Sequence, residues 1–303
     1  MFQKFTFEET LAASEKIHWR VEDLIGGDKS LDFSRPFMPE TYVRAETLDF
    51  LTPREKVILN QIRGHDYLYI FGLVEEFILP FVLDHARPEL SGDDHRVRAL
   101  LQFASEEAKH IHLFKCFRQD FLAGFGSHCD VIGPPEAVAE AVLKHDPLAV
   151  ALVILHIEWM TQIHYLQSVR DDQDLDPQFK SLLKHHWMEE AQHAKLDTLM
   201  VEALAEGRDA DGIAHAFDEY LEIGMFLDEG LSQQTRFDLE AFERATGRTL
   251  TDDERRIFIE VQHQANRWTF LGSGMTHPNF VATLEALDPA LKERIEAVAP
   301  AFC

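Results

Sequence analysis

The stretch Glu106–His110, which reads EEAKH, recurs with one change as Glu189–His193, EEAQH. In each copy the second glutamate precedes the histidine by three positions. Residues three apart on an α-helix project from nearly the same side, so each carboxylate and imidazole can reach one metal ion. A single pair of this kind more often lies on a solvated helix face, because charged residues are common at this spacing. Two matched copies favour a shared metal-binding role.

Each copy is preceded by a glutamate within an apolar stretch. Glu75 lies 32 positions before Glu107. Glu158 lies the same distance before Glu190. This equality indicates an internal repeat in which each pair of helices supplies one glutamate and one Glu-x-x-His, and it selects Glu75 over its neighbour Glu76. Glutamates on apolar faces are costly to bury, and a bound metal ion removes that cost.

Helix start and stop signals divide the middle of the chain into four long helices. Thr52-Pro53 opens a capping box, and proline is tolerated there because a first-turn N–H would have no helical partner. Asp146-Pro147 and Asp176-Pro177 repeat this arrangement. The predicted helices run from Pro53 to before Pro88 with a bend at Pro80, from Asp93 or Asp94 to Gly124, from Pro147 through Arg170, and from Pro177 through Glu206.

The same signals continue beyond the fourth helix. A second capping box lies at Thr251–Glu254, and Asp288-Pro289 opens another helix. No segment shows the alternation of a β-strand. We therefore predict an all-α protein with an N-terminal arm (residues 1–51), a four-helix bundle (52–206) and C-terminal helices packed on the bundle (207–303), as one domain overall.

Composition and charge exclude several classes of function. The chain has 303 residues, 46% of them hydrophobic, and a formal net charge of -24. This charge repels nucleic acid and anionic lipid. No run of about 18 uncharged apolar residues occurs, so no membrane span is expected. Cys116, Cys129 and Cys303 form no C-x-x-C motif and cannot all pair, which favours a reducing, cytoplasmic location.

A glutamate from each of two helices and a Glu-x-x-His from each of the other two resemble the ligand set of the ferritin-like di-iron carboxylate superfamily. The resemblance covers roughly Thr52–Glu206. It implies a ferritin-like four-helix bundle in which two iron ions react with O₂. Manganese, alone or with iron, is an alternative because the same ligand types suit it. The six implied ligands are Glu75, Glu107, His110, Glu158, Glu190 and His193.

His186 breaks the repeat. It lies four positions before Glu190 and seven before His193, on the same helical face, whereas the first half has Phe103 at the matching position. We predict His186 as a seventh ligand, and the alternative is a position behind the ligands or toward solvent, since His185 adjoins it. The spacing is similar to that of the p-aminobenzoate N-oxygenase type of non-haem di-iron oxygenases, in which an additional histidine binds one iron.

These resemblances imply a non-haem di-iron oxygenase that activates O₂ to oxidise a small organic substrate with electrons from an external donor. N-oxygenation of an amine is the leading reaction. Alternatives are a carbon hydroxylase or desaturase, a non-catalytic or storage-type iron binder, and a radical-generating partner protein. Beyond the metal ligands the sequence indicates no catalytic residue. A homodimer is the assembly we weigh against a monomer.

Further polar residues are candidates for orienting the ligand imidazoles through their second ring nitrogen. For each of them the alternative is an ordinary exposed position. The segment Gly272–Pro278 is predicted to be a loop from its glycine and proline content. The candidate orienting residues are Asp66, Glu106, His156, Gln162, His164, Glu189 and Asp197.

Overall fold

The computed structural model describes residues 5–303, and these residues form helices and connecting segments without a β-strand. This is the predicted all-α architecture. The α-helices in chain order are α1 (Phe7–Ser14), α2 (Glu40–Val43), α3 (Pro53–Ala86), α4 (Asp94–Gly124), α5 (Pro135–Leu143), α6 (Pro147–His164), α7 (Pro177–Ala205), α8 (Ala210–Thr246), α9 (Asp252–Arg267), α10 (Ser273–Met275), α11 (Pro278–Leu287) and α12 (Pro289–Val298).

Helices α3, α4, α6 and α7 form the central bundle. Helix α3 packs along α4, and α6 packs along α7, so helices adjacent in sequence pair within each half of the repeat. Helix α4 also contacts α7, which brings the two Glu-x-x-His helices together. The predicted starts are confirmed at Thr52, Asp146 and Asp176, whose side chains accept hydrogen bonds from N–H groups of the first turn.

Helix α6 is the most deeply buried helix of the bundle. Every residue from Leu148 to Gln162 is buried, and the backbone continues past His164 as a π-helical turn, Tyr165–Val169. By length and composition the span Pro147–Val169 is apolar enough to cross a membrane, but 94% of its most apolar window is buried inside the protein. A helix that is apolar on all sides is typical of a protein core as well as of a membrane.

The C-terminal helices pack on the bundle, as predicted. Helix α8 has 37 residues and packs against both α3 and α6, and α9 packs against α8. A buried polar network joins α8 to α3. Within it the Gln234 side-chain amide donates hydrogen bonds to Asp66 Oδ1 at 3.1 Å and to Asp238 Oδ1 at 2.8 Å.

The segment Gly272–Pro278 differs from the loop that its glycines and proline predict. Helix α9 continues as a π-helical turn, Trp268–Gly272, and then as α10, and Gly272 to Met275 are buried. A Cβ atom on Gly274 would lie 2.4 Å from the carbonyl oxygen of His156 on α6. The glycine therefore allows two helical segments to touch, and it does not form a turn.

The N-terminal arm is tied to the bundle by α1 and by an asparagine of α3. Helix α1 packs against α4 and α7. The side-chain oxygen of Asn60 accepts hydrogen bonds from the backbone N–H groups of Phe37 at 2.7 Å and Met38 at 2.9 Å. The arm thereby contacts α3, α4 and α7.

Candidate metal centre

Six of the seven residues predicted to bind metal come together in the bundle. They form two overlapping groups of buried side chains, and within each group the potential ligand atoms lie within 4.8 Å of one another. Overlapping groups suit two neighbouring ions, with Glu190 and His110 where the groups meet. The first group is Glu75, His110, His186 and Glu190, and the second is Glu107, His110, Glu190 and His193.

Glu158 lies beside these groups without joining either. It is buried and hydrogen-bonded with Glu190, and its Oε2 has no hydrogen-bond partner among residues 5–303. Burial, followed by the charge of Glu190, raises the pKa of Glu158 well above its usual range. The fourth carboxylate of the predicted set, Glu158, is therefore adjacent to the centre, and its role as a ligand stays a prediction.

Acceptor atoms face one another at this centre. His110 Nδ1 lies 3.0 Å from Glu190 Oε1 and 3.6 Å from Glu75 Oε2, yet within the described chain none of these three atoms has a hydrogen-bond partner. Neither oxygen of Glu107 has a hydrogen-bond partner there, although Oε1 lies 2.8 Å from His193 Nδ1. Burying unpaired acceptors is costly, and coordinated cations offset that cost. The donor set of carboxylate oxygen and imidazole nitrogen fits two iron or manganese ions.

The first glutamate of each EEAxH stretch contacts the histidine of the other stretch. His110 Nε2 on α4 lies 2.8 Å from Glu189 Oε2 on α7, and His193 Nε2 on α7 lies 2.9 Å from Glu106 Oε2 on α4. A carboxylate that accepts from Nε2–H leaves Nδ1 without a proton and free to bind metal. Glu106 and Glu189 therefore lie where they can orient the two imidazoles. Each contact joins a glutamate of one helix to the histidine of the other.

Neighbouring side chains hold Glu106 and Glu189 in place. The Ser14 hydroxyl and the Gln102 amide both donate hydrogen bonds to Glu106 Oε1. Burial opposes ionisation of Glu106, but His193, Ser14 and Gln102 outweigh it and lower the pKa of Glu106 to about 2. Lys109 forms an ion pair with Glu189. The sequence did not indicate Ser14, because it lies 92 positions from Glu106.

The carboxylates around His110 and His193 change the pKa of both histidines. Burial lowers the pKa of His110 and His193, but the surrounding carboxylates, first Glu190, outweigh burial and raise the pKa of both well above the usual range. The centre therefore favours positive charge, and protons compete with metal ions for Nδ1.

The two halves of the repeat differ on one side of the centre. His186 Nε2 lies 3.0 Å from Glu75 Oε1 and 2.8 Å from Glu190 Oε1. Its ring meets that of His110 edge-on, with 4.7 Å between centroids. At the matching position Phe103 stacks on His193 with 4.0 Å between centroids. The nitrogen of His186 thus lies among the potential ligand atoms, where the other half has only an apolar ring.

A second departure from the repeat lies on α7, one helical turn after His193. Asp197 follows His193 by four positions, and the first half has Phe114 at the matching place after His110. Asp197 is fully buried, and neither of its oxygens has a hydrogen-bond partner in the part of the chain that the structure describes. This carboxylate belongs to the surroundings of His193 and makes no contact that would orient an imidazole.

Four of the other candidates for orienting the imidazoles have different partners. Asp66 lies in the polar network with α8. His156 contacts the Tyr220 hydroxyl, and His164 Nε2 lies 2.8 Å from the Ser273 hydroxyl. Gln162 donates to the backbone oxygen of Trp187. Asp66 and His156 thus have partners on α8 and His164 has one on α10, whereas Gln162 contacts the backbone of α7.

No protein-family model matches the chain, and no curated protein matches it. Solved structures do. A variant of an R2-like ligand-binding oxidase with an anaerobically reconstituted Mn/Fe cofactor aligns with a TM-score of 0.50 and 14% sequence identity, over 91% of this chain and 94% of its own. The chain has a ferritin-like fold.

Other R2-like ligand-binding oxidase structures align less closely. One with a Mn/Fe cofactor has a TM-score of 0.45 at 15% identity, covering 87% of this chain and 93% of its own. One with an Fe/Fe cofactor has a TM-score of 0.43 at 14% identity, covering 86% and 91%. At this sequence identity the likeness concerns the fold.

Proposed function

We propose that this protein is an oxidoreductase that binds two transition-metal ions and uses O₂ to oxidise a small organic substrate. The observation that carries the proposal is the crossed pair of contacts from Glu189 to His110 and from Glu106 to His193. These contacts direct two Nδ1 atoms toward a buried set of carboxylates in which five oxygens lack hydrogen-bond partners among residues 5–303: Glu75 Oε2, Glu107 Oε1 and Oε2, Glu158 Oε2 and Glu190 Oε1. A structural polar cluster would pair its own donors and acceptors.

The chain's own residues have separable tasks in this reaction. When bound, two reduced ions would supply electrons and a binding position for O₂. Glu75, Glu107, Glu190 and the histidines would hold the ions, and Glu106 and Glu189 orient the imidazoles. The buried aromatic rings of Phe71, Phe103 and Phe114 exclude water around the ligands.

Iron, or iron with manganese, is the metal content we propose. Carboxylate oxygens and imidazole nitrogens suit both metals, and the set contains no thiolate that would select zinc or copper. The R2-like oxidase that aligns at a TM-score of 0.50 carries Mn/Fe. An external electron donor is required to return the metals to the reduced state.

For the reaction itself we propose N-oxygenation of an amine. What supports it is the position of His186, whose Nε2 lies within 3.0 Å of Glu75 Oε1 and Glu190 Oε1. The spacing His186-x-x-x-Glu190-x-x-His193 is the feature shared with the p-aminobenzoate N-oxygenase type. Carbon hydroxylation or desaturation is the alternative reaction at the same centre.

Metal loading and O₂ consumption test the proposal. The purified chain should bind two Fe(II) per chain without oxygen, and O₂ should then be consumed with formation of an oxidised amine. Glu75→Gln should lower the metal content, whereas Glu76→Gln should not, because Glu76 forms an ion pair with Lys115 outside the cluster. A chain that binds no transition metal would refute the proposal. Slow formation of ferric mineral, unaffected by every amine or hydrocarbon added, would favour storage.

A further inference from the structure

A mostly apolar cavity of about 360 Å³ lies next to the metal centre. Residues of α3, α5, α6 and α8 and of the π-helical turn after α9 line it. Its volume is in the range of pockets that bind small molecules. The cavity opens between α5 and α8, where Ala137 and Phe226 are exposed.

The inner wall of the cavity is shared with the metal centre. Phe71 lines the cavity one helical turn before Glu75, and its ring meets His186 edge-on with 5.3 Å between centroids. Val74 and Ile157, which also line it, directly precede Glu75 and Glu158. One layer of side chains therefore separates a molecule in the cavity from the ligand residues.

The chemistry of the lining restricts what can bind. Of its 19 residues, 17 are glycine or have apolar side chains, and the other two are Glu229 and Gln233, which are exposed on α8. No Lys, Arg or His of the described chain lines the cavity. A carboxylate that entered would lose its water without gaining a cation, and Glu229 would repel it at the opening.

Glu229 at the opening is a hydrogen-bond acceptor, and the inner wall of the cavity is apolar. The carboxylates of the metal centre lie behind that wall, because none of them lines the cavity. A molecule that enters should therefore have an apolar body without a full charge, and a group that donates a hydrogen bond can pair with Glu229 at the opening. An amine meets this requirement, and a carboxylic acid ionised at neutral pH does not.

We propose that this cavity binds the substrate and selects an apolar amine without a carboxylate. The inference rests on the proposed function, since it places the nitrogen of the amine against Phe71 and the metal centre. The hydrocarbon body lies between α3, α5 and α8. The substrate class is therefore a hydrophobic amine, and an aminobenzoate is excluded.

Calorimetric titration of two molecules with the same hydrocarbon body tests this selection. The full chain, kept free of oxygen, should bind 4-butylaniline at least about tenfold more tightly than 4-butylbenzoate, which corresponds to about 1.4 kcal/mol. Glu229→Gln should narrow the difference. Equal or tighter binding of the benzoate would overturn the proposal.

Filling the cavity tests its location. A Cβ atom on Gly230 would lie 3.4 Å from Ile132 Cδ1 and within 4 Å of no other described atom that could obstruct it, so the side chain of Gly230→Leu enters the cavity. Leucine also favours the helix more than glycine does. We expect at least a tenfold loss of aniline affinity, with helix content and metal binding retained. Met225→Leu, an exposed position of α8 outside the cavity, is the control and should bind normally.

These measurements separate the two proposals because binding requires no O₂. A chain that binds the aniline but never binds metal would refute the oxidoreductase function and leave the cavity assignment standing. A chain that takes up two ions and consumes O₂, but binds the aniline equally well after Gly230→Leu, would refute the cavity assignment alone.

Discussion

His186 is the residue through which the two halves of the centre differ in their number of nitrogen atoms. Phe103 shows that a phenyl ring fits the corresponding position. We expect His186→Phe to keep the fold. The affinity for one of the two Fe(II) ions should fall roughly tenfold or more, because a ligand nitrogen is lost. Titration against a chelator measures this. His185→Gln is the control, since His185 Nδ1 contacts the backbone oxygen of Ser181. Unchanged affinities in His186→Phe would remove His186 from the ligand set.

Asp197 is a buried carboxylate without a partner among the described residues. Burial raises the pKa of Asp197 well above its usual range. The folded state therefore binds this proton more tightly than the unfolded state does, and stability falls as pH rises from the ordinary carboxyl range to the raised pKa of Asp197. We expect Asp197→Asn to raise the free energy of unfolding of the metal-free protein by about 1–3 kcal/mol at pH 8.

Urea unfolding of the metal-free protein measures the effect of Asp197→Asn. Asp66→Asn is the matched control, because Asp66 is also buried but is paired with Arg63 and Gln234. The control should lose stability, since it weakens an existing buried pair. A loss of similar size in both variants would show that Asp197 has a stabilising partner.

At the scale of elements, helices α4 and α7 depend on each other for the orientation of their histidines. Glu189→Gln on α7 replaces the carboxylate that accepts a hydrogen bond from Nε2–H of His110 on α4. We expect metal affinity to fall about 10–100-fold, as for other residues that orient metal-bound histidines. Glu202→Gln, a position of the same helix outside this contact, is the control. Equal metal affinity in both variants would contradict the crossed arrangement.

The contact between α6 and the segment after α9 depends on Gly274. A Cβ atom there would lie 2.4 Å from the backbone oxygen of His156, which cannot move without distorting α6. We expect Gly274→Ala to lower the free energy of unfolding by about 1–3 kcal/mol. Gly230→Ala is the control, because its Cβ atom has room and alanine favours α8. Thermal unfolding of both variants measures the difference, and equal melting temperatures would contradict the close packing.

For the whole molecule, a rise in pH should lower the stability of the metal-free protein, whereas metal binding should raise stability. Burial lowers the pKa of His110 and His193, but the carboxylates raise it above the unfolded value of about 6.5. The stability that these protons contribute is present below about pH 6.5 and is lost as pH rises through the raised values. Metal ions displace the same protons, so metal affinity strengthens over that range.

We therefore expect the melting temperature of the metal-free protein to fall as pH rises above about 6.5 and these histidines lose their protons. The increase in melting temperature on adding Fe(II) without oxygen should grow over the same range. Scanning calorimetry at constant ionic strength measures both. A metal-induced increase that does not change with pH would show that histidine protons are not displaced.

The sequence by itself determined the four bundle helices and which residues are candidates for binding metal. Capping boxes, prolines at helix starts and the i, i+3 pairing of Glu107 with His110 act within a few residues, so they can be recognised without knowing the fold. The equal spacing of Glu75 and Glu158 from the two EEAxH stretches related one half of the bundle to the other. His186 stood out because it lies where the repeat has a phenylalanine.

Only the tertiary structure decided which helix faces which and which side chains meet across that contact. The crossing of Glu106 and Glu189 to the opposite helix, the support of Glu106 by Ser14 and the place of Glu158 beside the ligand groups all depend on it. The cavity between α3, α5 and α8 and the packing of Gly274 on α6 do as well. The physical reason is that helix rotation and distance are set by side-chain packing over the whole core, which no short stretch of sequence contains.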